Sequence, residues 1–142
     1  MAKKILLTLV IFIVIAGITG YILYNKGPVN VREAHSIKIT AVELYSKFIK
    51  DSATAQKIYS GKILSVSSGL SSVSENQQGE KVIMLSTGNE GGYINCTMED
   101  KNINIKPGQQ VVVKGECSGI GQGDADLGIA ADVYMSRCYL IE

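Results

Sequence analysis

The sequence predicts a small, mainly β fold: a closed barrel of five strands, preceded by one or two short helices and carried on an N-terminal transmembrane helix. Three observations predict it. An apolar run without an acidic or basic side chain, Ile5 to Leu23, lies near the start of the chain. Helical spacing of apolar residues around Val42 to Ile49 gives way, beyond Gly61, to alternation. The first alternating stretch is long and carries Gly69 near its middle, so it can bend and pair on both sides. Closing the sheet removes edges that an open five-stranded sheet would leave unpaired.

The apolar run comes first. At a rise of roughly 1.5 Å per residue, Ile5 to Leu23 reaches about 30 Å, the thickness of a bilayer's hydrocarbon core. Lys3 and Lys4 on the short leading side favour a cytoplasmic tail at 1–4, and Tyr21 and Tyr24 suit the opposite headgroup boundary. The expected organisation is a signal anchor at 5–24 held in the lipid bilayer, a flexible tether at 25–38 and a domain at 39–142. A cleaved export peptide is the other option. It would want a shorter apolar stretch and small residues at the cut, and Ala16 to Gly20 offers no good pair. Either option puts the domain on the exported side, periplasmic or extracellular.

The tether is polar, carries Gly27-Pro28, and extends to about 45 Å at most. Thr40-Ala41-Val42-Glu43 has the form of a capping box that starts a helix. Val42, Tyr45, Phe48 and Ile49 follow at helical spacing, with Leu44 broadening the apolar face. Asp51-Ser52 interrupts or recaps the helix, Ala53 to Tyr59 makes a second short one, and Ser60-Gly61 stops it. Strands are expected at Lys62 to Val73, Lys81 to Ser86, Tyr93 to Met98, Gln109 to Cys117 and Val133 to Ile141. Polar turns at Ser74 to Gly79 and Thr87 to Gly92 separate the first three. Glu99 to Lys106 is a connection with room for one helical turn, and Ser118 to Gly128 is a glycine-rich loop.

Composition bounds the function. Beyond the anchor about 115 residues remain, enough for one domain with its own core. From Gly27 onward 11 Lys and Arg face 13 Asp and Glu, a formal charge of −2. Nucleic-acid affinity rests largely on neutralised phosphates, so a mildly acidic domain without a basic block is a poor candidate for it. Single-strand binding also wants stacked aromatics along a positive groove. Of the six aromatics in the domain, Tyr45, Phe48 and Tyr59 are spent on helix packing, which leaves Tyr93, Tyr134 and Tyr139. The cysteines, Cys96, Cys117 and Cys138, are odd in number and lie in strand-like stretches. One disulfide or three buried thiols both fit, with buried thiols slightly favoured.

The segment Leu44, Phe48, Asp51, Ala55 and Tyr59-Ser60-Gly61-Lys62, with Val113 to Gly119 and the closing Cys138-Tyr139-Leu140, resembles the tRNA-anti-like family of OB-fold proteins. The resemblance covers roughly Ile39 to Ile141. It implies a five-stranded OB barrel in a small exported or membrane-tethered bacterial protein. The chain departs from that pattern in having no lipid-accepting cysteine near residue 20, so a transmembrane anchor would replace lipid attachment. The family's name suggests nucleic acid by analogy of fold alone, and fold does not settle function.

The chemistry-bearing residues are sparse. No C-x-x-C occurs and the lone His35 lies in the tether, so no metal is expected. Gly119 to Gly128 lacks the lysine and following helix of a phosphate loop, and Met135 stands where a calcium loop needs glutamate. Asn95-Cys96-Thr97 matches a glycosylation sequon but falls inside a strand. No G-x-S-x-G and no acid pair stands out, so neither catalysis nor a cofactor is expected. OB barrels bind through the outer surface of their second and third strands. Here Tyr93 and Asn95 share that surface and are the candidate ligand-binding residues. The expected function is a non-enzymatic, membrane-anchored binding module of the cell envelope for a protein or small ligand. The alternative is a single-stranded nucleic-acid-binding OB protein.

Overall fold

The computed structural model describes residues 2–25, 27, 30–124 and 126–141, without the side chains of 2–7, 9, 10 and 23. The chain divides into two compact units, Met1–Asn30 and Val31–Glu142. The first is a helix, α1, Ala2–Asn25. The Thr19 hydroxyl donates to the Ile15 carbonyl at 2.7 Å, which satisfies a polar side chain within the helix itself. Among the described residues no helix is long and apolar enough to cross a membrane. The expected span at 5–24 includes Ile5–Leu7, Leu9, Val10 and Leu23, whose side chains lie outside the description.

The second unit is mainly β. In chain order it contains β1 Ile37–Thr40, α2 Ala41–Lys50, α3 Ser52–Tyr59, β2 Ile63–Glu75, β3 Lys81–Ser86, β4 Tyr93–Met98, β5 Gln110–Ile120 and β6 Val133–Leu140. The sheet runs β1-β2-β3-β4-β6-β5, and β2 pairs again with β5 to close it. The closed ring therefore has five strands, β2 to β6, with a parallel β4–β6 pair, as in an OB barrel.

Closure rests on β2. Its first half, Ile63 to Gly69, pairs antiparallel with β5, and its second half, Leu70 to Glu75, pairs with β3. The register shifts between Leu70 and Ser72, next to the glycine where the sequence suggests a bend. Inward residues then alternate along each strand. Leu64, Val66 and Leu70, Ile83 and Leu85, Ile94, Cys96 and Met98, Val111 and Val113, and Val133 and Met135 form one core. Gly115 faces Cys138 so closely that a Cβ there would overlap the sulfur, which is why β5 carries glycine in mid-strand.

The helices precede the barrel and pack Ala41, Leu44, Tyr45 and Phe48 of α2 and Ala55 and Tyr59 of α3 into the same core. Thr40 caps α2 by accepting the Glu43 N–H at 3.2 Å, and Asp51 caps α3 by accepting the Thr54 N–H at 3.1 Å. The Thr54 hydroxyl first, and this N–H second, hold the Asp51 carboxyl below its ordinary value. Glu43 turns to Lys47 at 3.1 Å, the i,i+4 partner that favours an exposed helix surface. Val42 and Ile49, expected on the apolar face, are exposed. Leu44 is buried with Tyr45 and Phe48 as expected, and Ala41 joins them, because 41, 44, 45 and 48 form one i, i+3, i+4, i+7 stripe.

Two further differences concern elements. A sixth strand, β1, lies in the stretch read as tether and cap, and pairs parallel with Leu64 to Ser67 of β2. It covers the edge of β2 opposite β5. Residues 31–38 belong to the second compact unit, with Val31 buried. The connection 99–109 contains no helical turn; Ile103 and Ile105 pack against the core from an extended chain.

Candidate functional site

The outer surface of β3, β4 and β6 is built by register. Ser86 lies beside Tyr93, Met84 beside Asn95, and Val82 beside Thr97. Asn95 in turn lies beside Tyr134 of β6. Alternation puts Tyr93, Asn95 and Thr97 on this face while Ile94, Cys96 and Met98 enter the core. Tyr93 and Asn95 are thus brought to one face, half-buried, and Met84 and Tyr134 complete a row across three strands. Tyr134 is 47% exposed and its ring lies against Gly121, where a Cβ would come within 2.7 Å of it.

Asp132, just before β6, organises this face. Its Oδ1 accepts the Tyr93 backbone N–H at 2.9 Å, and its Oδ2 accepts the Asn95 Nδ2 at 2.7 Å. The carboxylate therefore spans two residues of β4 and fixes the Asn95 amide, leaving its carbonyl oxygen to meet a ligand. The turn beneath is fixed as well. Thr87 is buried and its hydroxyl donates to the Gly92 carbonyl at 2.5 Å. Gly92 lies so close to the Tyr45 phenol that a Cβ would overlap it. Burial first, and the charge of Asp132 second, push the Tyr45 hydroxyl above its ordinary value.

Sequence spacing did not reveal Asp132, Met84 or the place of Tyr134. Their signal is topological: a parallel β4–β6 pair puts the residue before Val133 beside Tyr93, 39 positions away in sequence.

The charge of this face is acidic at its centre. Two cations of these strands have acidic partners: Lys81 pairs with Glu75 at 2.8 Å, and Arg137 pairs with Glu116. The Lys81 partner lowers the Glu75 pKa. The face thus presents an apolar side chain, an amide and an aromatic ring side by side. The lowered pKa values of Asp51 and Glu75 are explained by a helix cap and an ion pair.

The glycine-rich loop closes on itself. Asp124 Oδ1 accepts the N–H groups of Asp126 and Leu127 at 3.0 and 3.2 Å, and Asp124 bridges to Ile129. Among the described residues no cluster of three His, Cys, Asp or Glu could hold a metal. Cys96, Cys117 and Cys138 are all free and buried.

The family model described as tRNA_anti-like matches residues 1–126. No curated protein matches the chain.

Proposed function

This chain belongs to the tRNA_anti-like family, and from that premise we propose that it is a membrane-anchored, non-enzymatic OB-fold binding module of the cell envelope. The observation that carries the binding reading is the row Met84–Asn95–Tyr134, an apolar, amide and aromatic surface preorganised by Asp132. Its ligand is a protein segment or a small uncharged molecule that donates to the Asn95 carbonyl and packs on the two larger side chains. Anchoring is supported by Ile5 to Leu23, nineteen residues without an acidic or basic side chain, with Lys3 and Lys4 before them. Tyr93 and Asn95 remain the proposed ligand-contacting residues, with Tyr134 beside them.

Fractionation tests the anchoring. The full chain is expected in the membrane fraction after an alkaline wash, with its domain digested by protease added to cells stripped of wall and any outer membrane but with the cytoplasmic membrane intact. Digestion only after the cytoplasm is opened would overturn it. Titration with a fluorescent single-stranded oligonucleotide tests the other reading. No saturable binding is expected at low salt; tight binding that weakens steeply with salt would make this a nucleic-acid protein.

A further inference from the structure

The outer surface on the other side of the barrel, where β1, β2 and β5 lie side by side, has a different chemistry. A groove of about 400 Å³ is lined there by Ser36, Lys38, Ser65, Ser67 and Lys114. Register explains the grouping. Lys38 pairs with Ser65, and Ser65 pairs with Lys114, so two lysines flank one serine in a single row across three strands. Strands are about 4.8 Å apart, which sets the two lysine backbones about 10 Å apart, close enough for both ammonium groups to reach one small ion. The Ser36 and Ser65 hydroxyls are 2.8 Å apart in the same groove.

Lys114 is the unusual member. It is 8% exposed, and no carboxylate among the described residues pairs with it. Its Nζ donates to the Arg32 carbonyl at 2.8 Å. An ammonium has three donors, so two have no acceptor from the described residues. Arg32 holds that carbonyl in place: its guanidinium donates to Asp100 at 2.8 and 2.9 Å and lies 4.4 Å from the Tyr139 ring centre. Asp100 is thereby committed to Arg32, and among the described residues no acid lines the groove. A buried cation without a counter-charge is costly, and an anion supplied from outside offsets that cost.

We propose that the Lys38–Ser65–Lys114 groove binds a phosphate group. Two ammonium groups match a phosphate's charge, and the serine hydroxyls and the spare Lys114 donors match its several acceptor oxygens. A carboxylate has fewer oxygens and would leave hydroxyls unused. Val112 and Ile141 form an apolar wall of the groove, which accommodates the carbon part of a phosphate ester. The ester is either a soluble metabolite or a lipid headgroup. This site is separate from the Tyr93 face and does not depend on it or on anchoring.

The test is amide-shift titration of the full chain in phosphatidylcholine bicelles. Inorganic phosphate is the soluble probe, acetate is the charge control, and phosphatidylglycerol added to the bicelles is the lipid probe. Saturable shifts at Ser36, Ser65 and Ser67 with phosphate establish the site for soluble esters; the same shifts with phosphatidylglycerol alone assign it to lipid. Lys38→Met, on an exposed residue, is expected to weaken binding about tenfold, and Lys114→Met at least as much. No saturable shift with either phosphate probe overturns the proposal. So does acetate binding as tightly as phosphate, or unchanged binding in Lys38→Met, a variant that leaves the core intact even if Lys114→Met fails to fold.

Discussion

Asp132 makes two hydrogen bonds, one to the Tyr93 backbone N–H and one to the Asn95 amide. Substituting alanine strands both donors on a half-buried surface, and each unsatisfied group costs about 1–3 kcal/mol. Asp132→Ala should therefore lower the free energy of urea unfolding by roughly 2 kcal/mol or more. Asp132→Asn keeps one acceptor and should lose about half of that. Stability equal to that of the unmodified chain in both variants would mean that the clamp contributes nothing. The thiols make a second residue-scale prediction. The Cys138 thiol beside Cys96, together with burial, pushes Cys96 well above the ordinary thiol value. Burial pushes Cys117 from 9.0 up to about 11. Each folded pKa exceeds the unfolded one, so the folded state holds these protons more tightly. That stability is complete below about pH 9 and is lost as pH rises through 11 and beyond. The urea midpoint should fall steadily over that range, less so in Cys117→Ala. At neutral pH a thiol reagent should find three reactive thiols in denaturant and almost none in the native protein.

At the scale of elements, β1 links the helices to the barrel. Ile39 is its buried residue, and Thr40 is both its last residue and the cap of α2. Ile39→Ala should cost about 2–4 kcal/mol through the cavity it leaves, and Thr40→Ala about 1 kcal/mol through the lost cap. Thermal unfolding of both variants checks the order; a Thr40→Ala effect exceeding that of Ile39→Ala would show that β1 matters little to the core. This strand also shows where legibility ended. The barrel strands were readable because Val82 to Leu85, Tyr93 to Met98 and Val111 to Val113 alternate over enough residues to separate period 2 from 3.6. Ile37 to Thr40 is too short to show a period, buries one residue, and abuts a polar stretch that reads as linker. The caps at Thr40 and Asp51 were legible because their geometry is local. The site was half legible. Alternation puts Tyr93 and Asn95 on one face, but Asp132 and Lys114 acquire their roles from pairings 37 to 82 residues apart, which no local pattern encodes.

For the whole molecule, the division at Asn30 and Val31 carries a consequence for folding. Every strand of the barrel, both short helices and the Arg32–Asp100 pair lie beyond that point. A chain beginning at Val31 should fold by itself, unfold in one cooperative step, and melt within a few degrees of the full chain. A chain beginning at Ala41 loses Val31, the Lys114 carbonyl partner, the α2 cap and the strand on the open edge of β2. It leaves Leu64 to Ser67 as an unprotected edge, which invites pairing between copies. The shorter chain should melt at least 10 °C lower, since about 2–3 kcal/mol shifts a domain of this size by that much, and should self-associate in sedimentation. If the Ala41 chain instead stays monomeric with an unchanged melting temperature, β1 is an appendage and the five-stranded ring alone sets the stability. If the Val31 chain fails to fold, the barrel depends on the preceding helix, and the two-unit organisation is lost.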